Sequence, residues 1–403
     1  MSHASNGIAS PSTAGASPAA PPPEHLAPAL LDLLTAELAE QRGGDGPDHA
    51  ADRATTDLMA LPLGEGGLSA DSIERTWLAL AAHRFLTLDG TAWDDKVLPA
   101  RTLGTVAGIA AARLTEGPDP AVAFATSGTT GASKVCRHTL ASLHREAAFL
   151  AELFAGRRRV VRLVPAHHIY GFLFGVLMPH AAGLPVVDAR AAGVAGLPAR
   201  LEPGDLVLGF PLVWSQAARF WTAPLPADVW CATSTGPCPP EAWGALTDLG
   251  AARMVEVYGS SETAGLGWRD HHAAPYRPFP WLTRDAAGDG LAEAKTAEVL
   301  PVQDRLDWTP DGAGFHVAGR RDGGVKVAGR LVHARAVARR LETLPGVARA
   351  EVAPIKTPGG QRLAATVTLT ADAAPDAESR LHAAIARWPA AERPVDVVVR
   401  AGR

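Results

Sequence analysis

The chain has 403 residues, of which 47% are hydrophobic and 20% charged, and its formal net charge is −4. This length predicts one large and one smaller domain, because single hydrophobic cores stop growing at roughly 250 to 300 residues. The weak net charge argues against nucleic acid as a partner, and no apolar run approaches the roughly 18 residues of a membrane span. Three dispersed cysteines favour a reducing cytoplasm over a disulfide framework or a zinc site.

The first 51 residues are dominated by Ala, Pro, Ser and Gly and lack the basic start and apolar run of a signal peptide. We expect a disordered tail that holds one helical pattern, residues 26–41. A Gly/Asp-rich linker follows, so the compact body is predicted to begin near residue 52. The next helix is expected to be capped by Ser69 or Asp71.

From residue 121 onward, short β-branched runs alternate with helical stretches, which predicts an α/β domain with a mostly parallel sheet covered on both faces. This large domain is expected to span residues 52–320. The last block, residues 321–403, has the order helix, strand, strand, helix, strand and predicts a small, mobile α+β domain. Glycines at 319, 323 and 324 suit a hinge before it.

One loop, "TSGTTGASK" from Thr126 to Lys134, follows a predicted strand and precedes a helix that Thr139 is expected to cap. Backbone amides freed by glycines, hydroxyls and one cation suit a polyphosphate at the carboxyl end of a strand. The loop is not a Walker A motif, because Ser133 and not glycine precedes Lys134. An ordinary Ser/Thr/Gly-rich turn is the alternative for this stretch alone.

Three motifs in order, "TSGTTGASK", "VEVYGSSET" and "GRRDGGVKVAG", resemble those of the AMP-forming adenylation superfamily, which includes acyl- and aryl-CoA ligases, luciferases and peptide-synthetase adenylation domains. The first departs from the family pattern at Ala132 and Ser133, and the second has Ser261 in place of threonine. The third matches GRxDxxxKxxG. The resemblance implies the adenylate-forming fold, with a large N-terminal and a small C-terminal domain.

The resemblance also implies roles for individual residues. The loop over the β- and γ-phosphates of ATP would contain Thr126, Ser127, Gly128, Thr129, Thr130, Gly131 and Lys134. In "YGSSET", Tyr258 and Gly259 would lie against adenine, Ser261 would approach the α-phosphate, and Glu262 would hold Mg²⁺, a cation that prefers carboxylate and phosphate oxygens.

The resemblance extends to further positions, some of which match the family only in part. Ser234, Thr235 and Gly236 of "STGPCPP" fall where the family has a Gly-rich strand end beside the adenine and acyl group. Asp304 of "VQD" would accept from the ribose hydroxyls, Arg320 would clamp ribose and phosphate, and Asp322 matches the hinge. His168 falls on the family histidine beside the acyl pocket, and Lys326 on the loop used in the second half-reaction.

Two histidine pairs, His167 with His168 and His271 with His272, raise the alternative of a metal site. Adjacent side chains of an extended segment point to opposite faces, so packed or solvated histidines are favoured. Phe172, Phe210 and Trp214 are apolar candidates for the acid pocket and favour an apolar or aryl acid.

Two departures from the family are expected to matter. Only about 70 compact residues precede the first motif, roughly half of what the family carries. No lysine follows Lys356, so the family's C-terminal adenylation lysine has no counterpart in this sequence. Its loss is expected to slow adenylation by roughly 10² to 10³ without abolishing ATP binding. Arg400 or Arg403 is a candidate substitute, and a larger share for Lys326 is the alternative.

The function implied is ATP- and Mg²⁺-dependent activation of a carboxylic acid to acyl-AMP, with transfer to the thiol of coenzyme A or of a carrier protein's phosphopantetheine. A compact aryl acid such as a hydroxybenzoate suits the short region before the first motif. By analogy, the chain is similar to the short members found in aryl-polyene and xanthomonadin-type pigment pathways. A degenerate adenylation fold that binds nucleotide or a carrier protein with little ligase activity is the alternative, and an amine acceptor is a further one.

Overall fold

A computed structural model describes residues 20–43, 57–117, 119–126, 134–321, 324–327, 330–357 and 360–402. Its α-helices are α1 (Pro23–Gln41), α2 (Ser72–Leu86), α3 (Leu103–Glu116), α4 (Leu140–Leu153), α5 (Ile169–Phe172), α6 (Met178–Ala182), α7 (Gly193–Gly196), α8 (Pro211–Phe220), α9 (Pro240–Asp248), α10 (Ala334–Glu342) and α11 (Ala377–Ala386). A π-helical turn, Leu173–Leu177, joins α5 to α6.

The strands of the large domain are β1 (Ala121–Thr126), β2 (Lys134–Thr139), β3 (Arg159–Arg162), β4 (Val186–Asp188), β5 (Asp205–Gly209), β6 (Trp230–Thr233), β7 (Arg253–Ser260), β8 (Ala264–Arg269), β9 (Arg277–Pro278), β10 (Leu282–Arg284), β11 (Leu291–Glu293), β12 (Asp304–Trp308) and β13 (Phe315–Arg320). Those that follow are β14 (Gly324–Val327), β15 (Arg330–His333), β16 (Val347–Thr357), β17 (Gly360–Leu369) and β18 (Asp396–Arg400).

The central sheet has seven strands in the order β4-β3-β5-β6-β7-β8-β9. The first five run parallel, whereas β8 and β9 join antiparallel to their neighbours. Each of these five parallel strands is a short apolar run that a helix or loop separates from the next, as a sheet buried on both faces requires. The predicted α/β fold with a mostly parallel sheet is confirmed.

The two faces of this sheet bury different side chains. Leu206 and Leu208 of β5 belong to a core that they share with α1 to α6. Val207, between them in sequence, points to the other face and packs with Trp214 of α8 and Trp243 of α9. This alternation follows the two-residue period of a strand, so α1 to α6 cover one face of the sheet and α8 and α9 the other.

Helix α1 belongs to the main core. Its Leu26, Leu30, Leu34 and Leu38 are at most 2% exposed and pack in the same cluster as α2, α3 and β1. The compact body was expected to begin near residue 52, and for this helix that expectation was wrong. Its leucines recur at every fourth residue and fill a core layer, although the Pro- and Ser-rich sequence before them had suggested a disordered tail.

A closed set of four charges ties α1 to the sheet. Asp32 of α1 accepts hydrogen bonds from Arg162 at 2.8 Å and from Arg190 at 2.6 Å, and both arginines also contact Asp188. Asp32 further accepts from the backbone N–H of Ala166 at 2.7 Å. We call Asp32, Arg162, Asp188 and Arg190 the charged ring. Because each charge has at least one opposite charge as partner, the desolvation cost of burial is offset.

The strand before the Ser/Thr/Gly-rich loop lies outside the parallel sheet. Strand β1 pairs antiparallel with β2, which begins at Lys134, and Thr126 faces Lys134 in the register. The loop thus closes a hairpin instead of leading directly into a helix.

Helix α4 begins only after β2, with the Thr139 hydroxyl accepting from the N–H of Ser142, as the cap expectation requires. Asp71 likewise caps α2 and forms a capping box with Glu74, whereas Ser69 does not cap it.

The C-terminal residues form a separate core. Strands β16, β17 and β18 make a three-stranded sheet, in which β16 and β17 are antiparallel and β17 and β18 parallel. Leu341 of α10, Leu363 and Val367 of β17 and Ile385 of α11 are buried together. The order helix, strand, strand, helix, strand agrees with the sequence expectation, and the boundary near residue 320 remains a prediction.

None of the helices in the described part of the chain has the length and apolar character needed to cross a bilayer. All three cysteines are free and buried. Burial raises the pKa of the Cys231 thiol to about 12, so this thiol stays protonated and packs as an apolar group.

Candidate active site

The first two motifs meet through an ion pair. Lys134 Nζ, at the start of β2, lies 3.3 Å from Glu262 Oε1 in the turn between β7 and β8. Desolvation pulls the pKa of Glu262 upward, but hydrogen bonds from a backbone N–H, Lys134 and Ser260 outweigh it and hold the pKa below its usual value. Glu262 is therefore ionised at neutral pH. A carboxylate of this kind beside a cation suits a magnesium–phosphate group.

A second contact joins the same two segments. His138 Nε2 lies 2.7 Å from the backbone carbonyl oxygen of Ser261. Burial lowers the pKa of His138 and the carbonyl contact opposes that shift only in part, so the ring is neutral at pH 7 and donates through Nε2. Lys134, Cys136 and His138 alternate along β2 and face the turn together, since successive strand residues point to opposite faces.

The turn that carries Glu262 has a tightly defined backbone. A Cβ on Gly259 would lie 2.2 Å from the carbonyl oxygen of Ala264, so no side chain fits there. Ala264 itself has a left-handed φ of 58°. The Ser260 and Thr263 hydroxyls lie 3.0 Å apart, and Ser260 Oγ also accepts from the Thr263 N–H. These contacts fix the path of the chain on both sides of Ser261 and Glu262.

The predicted adenine and ribose residues lie together. The Tyr258 hydroxyl donates to Asp304 Oδ2 at 2.6 Å, and Asp304 faces Arg320 in the register of β12 and β13. Desolvation and the Asp304 charge raise the pKa of Tyr258, while the Arg320 charge acts in the opposite sense. The Tyr258 ring packs against Tyr276 and Phe315, with centroids 5.4 and 5.7 Å away. Tyr258 and Asp304, 46 positions apart in sequence, thus place their polar atoms together beside a group of packed aromatic rings.

Residues 234–236 lie at the end of β6, next to β7. The Ser234 hydroxyl is buried and donates to the carbonyl of Val257, the residue before Tyr258. Thr235 adopts a left-handed φ of 75°, which is unusual for a branched residue. The Ser234 side chain therefore anchors this strand end, and any ligand contact at 234–236 would be made by other atoms of the segment.

His168 is the residue immediately before α5. The residue is exposed, and its ring centroid lies 4.0 Å from that of His167, with the ring planes tilted by 42°. Desolvation by the surrounding protein lowers the pKa of His168, and the Asp32 charge opposes this shift. The ring is therefore neutral at pH 7. Asp32 also holds the backbone N–H of Ala166, so the charged ring fixes the segment that presents His168.

The predicted pocket aromatics differ in burial. Phe172 and Trp214 are fully buried, whereas Phe210 is partly exposed at the end of β5. Tyr170 was not foreseen: its hydroxyl donates to the carbonyls of Gly209 and Ala232 and ties the ends of β5 and β6 together. No group of three metal-ligating side chains occurs among the residues the structure describes. The rings of His271 and His272 have centroids 4.5 Å apart, with their planes tilted by 35°.

Several predicted residues cannot be compared with the structure. The phosphate-loop residues Ser127, Gly128, Thr129, Thr130 and Gly131, and also Asp322 and Arg403, lie outside the described residues. Lys326 is on β14, where its backbone pairs with Leu331, but its side chain is not described. Arg400 ends β18 and is exposed.

Besides Tyr170, sequence reasoning missed three residues that shape the site: Asp32, His138 and Glu146. The sequence held a signal for His138. Lys134, Cys136 and His138 are spaced by two residues, which puts all three on one face of a strand. Asp32 and Glu146 each interrupt an otherwise apolar helix stripe, and a charge in that position indicates a buried partner. The identity of the partner depends on contacts with residues more than 100 positions away.

The chain resembles known proteins over most of its length. The family model for the AMP-binding enzyme matches residues 76–288. A 4-coumarate–CoA ligase of Cereibacter sphaeroides is 36% identical over 83% of this chain and 80% of its own, and one of Rhodobacter capsulatus is 36% identical over 88% and 90%. In fold, a mutant of the amide bond synthetase McbA from Marinactinospora thermotolerans superposes with a TM-score of 0.52 at 17% identity over 92% of this chain and 89% of its own. The chain belongs to the AMP-binding enzyme family of adenylate-forming proteins.

Proposed function

We propose that this protein is an AMP-forming ligase that activates an aryl carboxylic acid with ATP and passes the acyl group to the thiol of coenzyme A. The observation that carries the proposal is the Lys134–Glu262 pair, which joins the first two motifs at 3.3 Å. Relatives named 4-coumarate–CoA ligase support both the acid class and the acceptor.

The first step is attack of a carboxylate oxygen on the α-phosphorus, which breaks its bond to the departing pyrophosphate. Glu262 would hold Mg²⁺, which neutralises phosphate charge when bound. Lys134 would contact the β- and γ-phosphates, and Asp304 and Tyr258 would position the ribose and adenine. The described residues offer alignment and charge neutralisation, which are the principal means of catalysis in such a displacement.

In the second step the thiol sulfur attacks the acyl carbonyl carbon, the carbon–oxygen bond to AMP breaks, and the thiol proton is released to solvent or base. The match of the third motif supports a role for Lys326 in this half-reaction. A Lys326→Ala variant should therefore lose thioester formation while keeping more of its acid-dependent pyrophosphate release.

The acid is proposed to be a hydroxylated aryl acid. The relatives' names favour a hydroxycinnamate, whereas the candidate pocket aromatics Phe172, Phe210 and Trp214 favour a compact aryl acid such as a hydroxybenzoate. A phosphopantetheine thiol on a carrier protein is the second candidate acceptor. A nucleotide-binding protein with little ligase activity is the second candidate function.

The test is pyrophosphate release by purified protein with ATP, Mg²⁺ and a panel of hydroxycinnamates, hydroxybenzoates and aliphatic acids. Each acid is assayed with no thiol, with coenzyme A and with a holo-carrier protein, and Glu262→Gln serves as the inactive control. Acid-dependent release that Glu262→Gln abolishes supports the ligase, and the acid of highest kcat/KM names the class. Measurable ATP binding without release for any acid or thiol would overturn the ligase and favour the nucleotide-binding alternative.

A further inference from the structure

Glu146 is a buried carboxyl group that the proposed chemistry does not use. It lies in the middle of α4, is 3% exposed, and both of its carboxyl oxygens accept from the backbone N–H of Gly265, at 3.0 and 3.2 Å. The neighbouring Arg145 points away and pairs with Glu293 at the surface. The hydrogen bonds of Glu146 therefore connect α4 to the chain that carries the second motif.

Gly265 lies at the base of the turn that holds Ser261 and Glu262. It pairs with Gly259 across β7 and β8, immediately beyond a bulge. A Cβ on Gly265 would lie 2.3 Å from Glu146 Oε1 and 2.4 Å from the Phe279 ring. Only glycine lets the backbone come this close, so carboxylate and backbone fit each other at this point.

An apolar side chain at position 146 would avoid the cost of burying a carboxyl group. It would also leave the Gly265 N–H as a buried donor with no acceptor from α4, which is costly in a water-poor interior. Burial of the Glu146 carboxyl group costs its hydration, but its hydrogen bonds hold the backbone of Gly265 in place, three residues from Glu262.

We propose that Glu146 is a positioning residue that fixes the turn from Ser260 to Ala264, and through it the placement of Ser261 and Glu262. The inference rests on the proposed function, because the benefit of a fixed turn is alignment of the magnesium and phosphate contacts. Misplacement of such groups by about 1 Å can cost on the order of 10²-fold in rate. The turn is fixed from one side by His138 and from the other by Glu146.

The experiment compares two variants of similar volume, Glu146→Met, which removes the acceptor, and Glu146→Gln, which keeps one. Glu152→Met, at an exposed position near the end of α4, is the matched control. Amide hydrogen exchange of the 258–265 segment and pyrophosphate release as a function of Mg²⁺ concentration are measured on folded protein. We expect Glu146→Met to speed exchange in this segment at least tenfold, to lower kcat about tenfold and to raise the Mg²⁺ requirement, and Glu146→Gln to restore most of each.

Unchanged exchange and an unchanged Mg²⁺ profile in Glu146→Met would overturn the inference and leave Glu146 a structural group. Should Glu146→Met fail to fold, Glu146→Asp withdraws the carboxyl group by one methylene while keeping its charge, and an exchange pattern identical to that of the unmodified protein would likewise overturn it. Absence of pyrophosphate release from the unmodified protein would defeat the proposed function alone, because hydrogen exchange tests the turn independently.

Discussion

The charged ring and the Lys134–Glu262 pair are both ion pairs between distant segments, yet they are built differently. In the ring, Asp32 and Arg162 are 1% and 2% exposed and meet at 2.8 Å. In the site, Lys134 is 59% exposed and meets Glu262 at 3.3 Å. The charges that hold the fold form short, buried bonds, whereas the two charges proposed to bind phosphate and magnesium form a longer and more exposed contact.

The largest expected effect comes from breaking the ring. Asp32→Ala leaves Arg162 buried without one of its carboxylate partners and should lower the free energy of unfolding by roughly 3 to 5 kcal/mol. Denaturant unfolding measures this loss. Glu351→Ala is the control, since its pair with Arg349 is 65% and 73% exposed and should contribute at most about 1 kcal/mol. Equal losses in the two variants would remove the distinction between buried and exposed pairs.

The site pair should show the opposite behaviour. Glu262→Gln removes the charge proposed to hold magnesium and should lower the rate of acid-dependent pyrophosphate release by roughly 10² to 10³. Its free energy of unfolding should change by less than about 1 kcal/mol, because the pair is partly solvated. Steady-state kinetics and denaturant unfolding are measured on the same preparation. A variant that is destabilised as strongly as Asp32→Ala would place Glu262 with the structural charges.

Glu146 sharpens the comparison, because it is buried like Asp32 but bonds to a backbone N–H and not to a guanidinium. Its pKa is raised to about 7, chiefly by desolvation, while the Gly265 N–H and the Arg145 charge pull it down. The folded protein thus binds more protons than the unfolded chain between the ordinary pKa of 4.5 and about 7, so stability falls as pH rises through this window.

The size of that fall follows from the shift, which at 1.36 kcal/mol per pH unit corresponds to roughly 3 kcal/mol. Glu146→Gln does not titrate, so its free energy of unfolding relative to that of the unmodified protein should increase by about this amount between pH 4.5 and pH 8. Denaturant unfolding at several pH values checks it. A difference that stays constant with pH would show that Glu146 titrates normally in the folded protein.

The smallest expected effect is at the nucleotide edge. Tyr258→Phe keeps the ring but removes the hydrogen bond to Asp304, worth about 1 kcal/mol. The KM for ATP should rise roughly fivefold with little change in kcat, since the bond would position the nucleotide and not the reacting atoms. Kinetics at varied ATP concentration measure this. A loss confined to kcat would assign Tyr258 a role in the reaction itself.

Patterns that depend on neighbouring residues were read correctly from the sequence. The apolar runs of β3 to β7 and the intervening helices fixed the parallel sheet, and the motif spacing placed Lys134, Glu262, Tyr258 and Asp304 in one family pattern. The pairing of β1 with β2 was missed because the glycine-rich loop was interpreted as a strand-to-helix turn. The burial of α1 was missed although its leucines recur at every fourth residue, because the surrounding tail is polar and Pro-rich.

Partners that are distant in sequence were beyond any local pattern. Nothing near Asp32 or Glu146 specifies that one meets Arg162 and the other Gly265, because those encounters depend on how whole layers pack. The contacts that hold the site in place are of this kind, whereas the residues proposed to touch the ligands sit in short motifs that can be recognised directly.

The charged ring also bears on the order in which the newly made chain can fold. Asp32 and Arg190, which bond in the folded protein, are 158 residues apart, and a ribosome adds roughly 5 to 20 residues per second. Asp32 is therefore synthesised roughly 8 to 30 s before Arg190, its last charged partner. During that interval the layer that buries the leucines of α1 is incomplete, so we expect α1 to pack stably only after Arg190 has been made.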